Sequence, residues 1–218
     1  SNVPLTRTPD AHFLTEVRYK GTKVVSVSPD YAESTTSSDA WLNVKAGTDA
    51  ALAMAMGHVI LKEYYIDKET PYFKEYAKEF TDMPFLVRVE DINGTVQPGR
   101  FLNAKDLGRQ EEGADFQMVL IDELTNEIVV PNGTMGERHT NPQKWNLRLE
   151  NRDTGAKIDP RLSVFDQRED VTVVKLPYFG DEEHEGIIER AIPTITVQTV
   201  DGPVKVTTVY DLILANYG

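Results

Sequence analysis

Two short corners of the sequence combine residue types that suit nucleotide binding. One is Ser28-Pro29-Asp30, which ends the apolar run Val24-Val25-Ser26-Val27; the other is Gly47-Thr48-Asp49, which opens a stretch of helical character. In an open parallel sheet, ligands sit beyond the C-terminal ends of the strands. A helix starting at Thr48-Asp49 would present free backbone N–H groups suited to an anion, and the Asp49 carboxylate could accept two hydrogen bonds from the N–H edge of a guanine. A third loop, Ser1-Asn2, precedes the first helix. No glycine-rich phosphate loop accompanies these corners, so the pattern fits a nucleotide whose phosphates are gripped in another way. The plain alternative is that Asp30 closes a turn after Pro29 and Asp49 is a first-turn acid matched to the helix dipole.

The remaining reactive side chains point to less. His184 lies in the acidic run GDEEHEG, which reads as a solvated loop rather than a cation site. His12 and His58 fall on helices, and His139 in a polar loop, without a partner at metal-ligand spacing. No nucleophile–base pattern, phosphate-loop lysine or pair of catalytic carboxylates follows from spacing. The chain has no cysteine, so it offers neither a disulfide nor a thiolate-held cluster.

The elements that must position the two corners are legible. Residues 8–20 (TPDAHFLTEVRYK) read as a helix with Thr8 as N-cap, Pro9 at the first position and Gly21 as the stop. VVSV reads as a short buried parallel strand and AWLNV as another, with a Ser/Thr-rich loop between them. Thr48 is expected to cap a helix running to Tyr65, whose methionines are ordinary core, and Thr70 a helix from Pro71 to Phe80. Near Phe85 the periodicity changes from helical to alternating. FLVRVE and TVQPGRFL flank Asn93-Gly94, the strongest short hairpin signal. QMVLID, EIVVP, RLSVF, VTVVKLP, TITVQTV and VKVTT read as strands, with a second tight hairpin at Asp201-Gly202. Thr208 and Asp211, three apart, open a last helix. The expected fold is α/β: a Rossmann-like parallel-sheet unit over 1–84, then a β-hairpin-rich region over 85–218.

The 35 acidic against 23 basic residues give a net charge of −12, which opposes binding to nucleic acid or an anionic membrane. The longest apolar run, AALAMAMGHVIL, is too short and mixed to span a bilayer. Without an initiator methionine or a signal region, the sequence reads as an excised piece of something longer.

The stretches SNVPLTRTPDAHFLTEVRYKGTK, SPDYAE, AGTDAALAMAMGHVILKE, FTDMPFLVRVE, PNGTMG, KWNLRLE, LPYFG and TTVYDLILANYG resemble, in the same order, the respiratory nitrate reductase alpha subunits. These are a branch of the molybdopterin-guanine dinucleotide oxidoreductases. The wider family reads Asp-Pro-Arg where this chain reads Ser28-Pro29-Asp30, so the acid sits two positions later. The resemblance implies that Asn2, Ser28, Pro29, Asp30, Gly47, Thr48 and Asp49 wall the guanosine end of one dinucleotide of a bis-molybdopterin guanine dinucleotide cofactor carrying molybdenum. It implies that the metal ligand and a 4Fe-4S cluster lie outside this stretch, which alone would be inactive. It further implies reduction of nitrate to nitrite, with electrons from quinol arriving through an iron-sulfur beta subunit and a membrane-embedded gamma subunit. Those partners would hold the enzyme at the cytoplasmic face of a bacterial membrane without insertion of this chain. Two alternatives stand beside this: a related reductase or dehydrogenase acting on chlorate, selenate or a hydrocarbon, and a stand-alone nucleotide-binding or interaction module without redox activity.

Overall fold

Proline near the start and glycine past the end fix the first long helix in the computed structural model, which describes residues 3–133, 147–177 and 186–217. After a single turn, α1 (Val3–Thr6), helix α2 runs over Thr8–Tyr19 with Pro9 in its first turn. Thr8 is not its N-cap. The ladder starts one residue earlier, because the Arg7 carbonyl already accepts the N–H groups of Asp10 (2.8 Å) and Ala11 (3.2 Å), and Arg7 provides no side-chain cap. At the other end Gly21 adopts φ +90°, its N–H reaches the Arg18 carbonyl, and the Thr22 N–H reaches that of Val17. This paired closure needs a left-handed residue, hence glycine.

The chain then forms β1 (Val25–Val27), α3 (Glu33–Thr36) and β2 (Ala40–Leu42). The two strands pair in parallel, with Val25 opposite Ala40 and Val27 opposite Leu42. Asp39 clamps the start of this pair. Its carboxylate accepts the Val24 N–H at 2.8 Å and lies 3.5 Å from Arg18, and these contacts hold its pKa below the ordinary carboxylate value. Helix α4 (Asp49–Ile60) follows. Residues Ser1–Met56 make one compact unit, and among its described residues only Thr35 is buried.

The second unit, Gly57–Gly218, starts inside that helix. The α-helix gives way at Leu61–Asp67 to a π-helix, a change that the periodicity of the sequence did not disclose. Then α5 (Pro71–Phe80) forms as expected, although Thr70 makes no side-chain capping bond. Strands β3 (Leu86–Ile92) and β4 (Thr95–Phe101) are joined by Asn93 and Gly94, at φ +57° and +79°, the signs a tight primed hairpin turn requires. Short pairs follow: β5 (Leu120–Ile121) with β6 (Ile128–Val129), and β7 (Pro131–Asn132) with β8 (Arg148–Asn151). Strands β9 (Asp170–Pro177), β10 (Ile187–Thr199) and β11 (Gly202–Thr208) complete an antiparallel five-stranded sheet in the order β4-β3-β11-β10-β9. Helix α6 (Val209–Tyr217) closes the described chain. RLSVF is not a strand. Arg161 is buried and donates to Asn126, while Ser163 and Val164 donate to Asp211, so these residues serve as a strap rather than a ladder.

The alternation along these strands buries Leu86, Val206 and Val197 with Leu102, Val119 and Val164 in the main core. A second cluster joins Leu61, Ala77, Leu162 and Tyr210, which draws the π-helix and α5 into the same unit as α6. For this reason the compact units divide at Met56/Gly57, while the switch from helical to alternating periodicity comes later, near Phe85. Tyr210 is 1% exposed and packs on the Tyr65 ring at 4.4 Å, and its hydroxyl has no hydrogen-bond partner among the described residues. Burial raises both phenols, that of Tyr65 to about 12. An unpartnered buried hydroxyl costs about 1–3 kcal/mol of desolvation. Tyr210→Phe is therefore expected to leave stability unchanged or raise it by about 1 kcal/mol. A urea unfolding midpoint clearly below that of the unmodified chain would show that the hydroxyl does have a partner.

Candidate nucleotide site at the ends of the parallel strands

Because β1 and β2 run in parallel side by side, the loops that follow them leave by the same edge. The Ser28 N–H still donates to the Leu42 carbonyl (3.2 Å), so the ladder ends where the first loop begins. There Ser28 Oγ lies 2.8 Å from the Asp30 carbonyl oxygen and 3.0 Å from Asp30 Oδ1. Pro29 supplies the bend, and both Pro29 and Asp30 are exposed.

The second corner is built by Gly47 at φ +84°, with open space around the position a Cβ would take. Its left-handed backbone turns the chain into α4. Thr48 does not cap with its side chain: its hydroxyl donates back to the Lys45 carbonyl at 2.7 Å, and its N–H does the same at 3.1 Å. The first helical bond runs from Leu52 N–H to the Thr48 carbonyl. The N–H groups of Asp49, Ala50 and Ala51 thus lie outside the helical ladder, and the Asp49 carboxylate stands exposed in the first turn.

Of the residues singled out from sequence, Ser28, Pro29, Asp30, Gly47, Thr48 and Asp49 therefore belong to two loops on one sheet edge. Asn2, His139 and His184 lie outside the described residues. Two residues that the sequence reading did not single out support the first loop. Trp41, the middle residue of β2, donates its indole N–H to the Ser28 carbonyl at 2.9 Å. The Tyr31 ring meets that indole edge to face, with centroids 5.2 Å apart at 82°. A tryptophan in a three-residue strand has an N–H that must find an acceptor, which was the available signal.

The fit to a nucleotide is chemical. Open N–H groups and a helix N-terminus suit phosphate or carbonyl oxygens, and exposed carboxylates suit the donors of a guanine edge. The fit to a metal is poor: no group of three or more His, Cys, Asp or Glu side chains comes together among the described residues.

The second unit carries a cavity of about 730 Å³ lined in part by Tyr65, Lys74, Lys78, Arg161 and Asp211. Its cations are already matched, Lys74 to Glu69 at 2.9 Å, Lys78 to Asp159 at 2.5 Å and Arg161 to Glu123 at 3.3 Å. With its cations engaged in this way, the cavity offers no charge to draw in an anion.

The family model for molybdopterin oxidoreductases matches residues 1–198. Over the whole chain there is 51% identity to the nitrate reductase alpha chain of Bacillus subtilis, 46% to respiratory nitrate reductase 1 alpha chain of Escherichia coli and 45% to the nitrate reductase alpha subunit of Mycobacterium tuberculosis. The chain spans 18% of the length of each of these relatives. A match across nine-tenths of the residues places it: the chain belongs to the molybdopterin oxidoreductase family.

Proposed function

We propose that the chain is a segment of a nitrate reductase catalytic subunit, in which Asn2, Ser28, Pro29, Asp30, Gly47, Thr48 and Asp49 wall the guanosine end of one molybdopterin-guanine dinucleotide. The observation that carries this reading is the pair of loops on one parallel-strand edge, one of them ending at a helix N-terminus with an exposed carboxylate. Whole-chain identity to nitrate reductase alpha chains supports the substrate. When bound, the bis-molybdopterin guanine dinucleotide cofactor with its molybdenum supplies oxygen-atom abstraction, so that nitrate, two electrons and two protons become nitrite and water. The residues here bind and orient one end of that group while the redox chemistry belongs to the cofactor. Electrons would come from quinol through a membrane-embedded gamma subunit, an iron-sulfur beta subunit and a 4Fe-4S cluster outside these residues. No helix among the described residues is long and apolar enough to cross a membrane, so attachment to the cytoplasmic face would run through those partners.

Asp49 gives the test. As a first-turn acid alone it is worth about 0.3–1 kcal/mol through the helix dipole. As an acceptor for guanine N–H groups it is worth roughly 1.5–3 kcal/mol more. In the full-length polypeptide, Asp49→Asn is expected to weaken guanine nucleotide binding about 10- to 100-fold, because one acceptor becomes a donor facing donors. Nucleotide released per polypeptide and the melting midpoint are the two readouts. Unchanged occupancy with a small loss of stability would remove Asp49 from the site.

A further inference from the structure

We infer that Tyr31 is the platform on which the nucleobase stacks, and that Trp41 is the residue that positions it. The inference deepens the guanosine reading and rests on it. Tyr31 directly follows Asp30 in the loop that leaves β1, so any ligand held by Ser28 and Asp30 lies beside it. It is 64% exposed, yet its ring is not free to sweep: it meets the Trp41 indole edge to face at 5.2 Å. In an edge-to-face pair at 82°, the contact occupies at most one face of either ring. At least one face of Tyr31 therefore stays open while its orientation is set.

Trp41 is itself anchored. It is half-buried, its backbone pairs with Ser26 across the parallel ladder, and its indole N–H holds the Ser28 carbonyl at 2.9 Å. One side chain thus fixes both the polar corner of the loop and the ring that follows it. An exposed aromatic ring restrained next to hydrogen-bonding groups is the arrangement by which proteins stack unpaired bases, and each stack is worth about 10- to 100-fold in affinity. Stacking tolerates any base because every base has a π face, whereas a carboxylate acceptor selects guanine.

The test uses the full-length polypeptide produced without its dinucleotide, with GMP and AMP as probes in equilibrium dialysis. Tyr31→Leu is expected to weaken GMP and AMP by the same factor, about 10- to 100-fold. Tyr31→Phe should stay within about twofold, since the ring is kept. Trp41→Phe, which keeps an aromatic ring but loses the donor to Ser28, should weaken both by roughly 2- to 10-fold. Asp49→Asn should weaken GMP alone. If Asp49→Asn weakens GMP while Tyr31→Leu does not, the stacking role is overturned and the guanosine site stands. If Tyr31→Phe loses as much as Tyr31→Leu, the hydroxyl and not the ring matters, and stacking is again overturned. If the unmodified polypeptide binds no GMP, the guanosine reading fails and the platform with it.

Discussion

Replacing Asp211 with alanine is expected to destabilise the second unit by about 3 kcal/mol. Asp211 is 3% exposed and sits in the first turn of α6. Its carboxylate accepts Ser163 Oγ–H at 2.6 Å, the Val164 N–H at 2.9 Å and Thr208 Oγ–H at 2.9 Å, while Thr208 Oγ accepts the Asp211 N–H in return. The spacing of Thr208 and Asp211 anticipates half of this: the Thr208 hydroxyl caps the Asp211 N–H as in a capping box, but the Asp211 carboxylate takes the Thr208 hydroxyl rather than its backbone N–H. Alanine would strand the Val164 N–H, a donor that cannot rotate away, at about 1–3 kcal/mol, and would take the acceptor from the Ser163 and Thr208 hydroxyls at about 0.5–1.5 kcal/mol each, while the Thr208 hydroxyl still caps the N–H of residue 211. Against a total stability of about 5–15 kcal/mol for a typical domain, the unfolding midpoint in urea should fall well clear of error. A change below about 1 kcal/mol would mean that water or a rotated side chain replaces the carboxylate.

The second large effect is expected at Asp106, with a pH signature of its own. Its carboxylate accepts both Arg100 Nη groups, at 2.5 and 2.7 Å, the Asn103 N–H at 3.0 Å and Arg88 Nη1 at 3.4 Å. The Asp106 carbonyl accepts the Val200 N–H, so one residue ties the β3–β4 hairpin to the β10–β11 turn. Asp106→Ala should cost about 3 kcal/mol, most of it at Arg88 and the Asn103 N–H, since Arg100 is half exposed and its share is screened. Burial alone would raise the Asp106 pKa, but the Arg100 hydrogen bonds, the Asn103 N–H and Arg88 outweigh it and hold the pKa below the ordinary value. A carboxyl with a depressed folded pKa contributes fully above its unfolded value of about 3.9 and loses that contribution as pH falls through the folded value. The gap between the unmodified chain and Asp106→Ala should therefore be widest near neutrality and narrow below about pH 4. Asp211 runs the other way, because burial lifts its pKa and protonation in acid favours the folded chain. Urea midpoints measured near pH 7 and near pH 3 separate the two; a gap at Asp106 that does not change with pH would refute the ion-pair account.

What the sequence made legible was local. Pro9, Pro71, Gly21 and Asn93-Gly94 act through their own backbone restrictions, and the elements they punctuate formed where expected. The Thr208 hydroxyl that caps the Asp211 N–H reads the same way. Partners distant in sequence were not legible. RLSVF has the apolar content of a strand, but Asp211, 47 positions from Val164, claims its donors. The π-helix at Leu61–Asp67 carries no local mark, because its register is set by packing of Leu61 and Tyr65 with Tyr210. At the site, the two loops were visible as Ser-Pro-Asp and Gly-Thr-Asp patterns. Tyr31 and Trp41 were not, since their ring contact and the Trp41–Ser28 hydrogen bond join residues well apart in sequence.

The strand order also sets a timetable for synthesis. Val87 of β3 pairs with Thr207 of β11, about 120 positions later, while β4 pairs with β3 through a two-residue turn. A ribosome adding about 5–20 residues per second leaves the β3–β4 hairpin, complete at Phe101, waiting roughly 5–21 s for its third strand to end at Thr208. Throughout that interval the inner edge of β3 is an open template, and Leu86 and Val87, buried in the finished sheet, face solvent. The nascent chain is thus exposed to edge-to-edge association on the polysome, and a chaperone that shields the hairpin until Thr208 emerges would raise the yield of folded product.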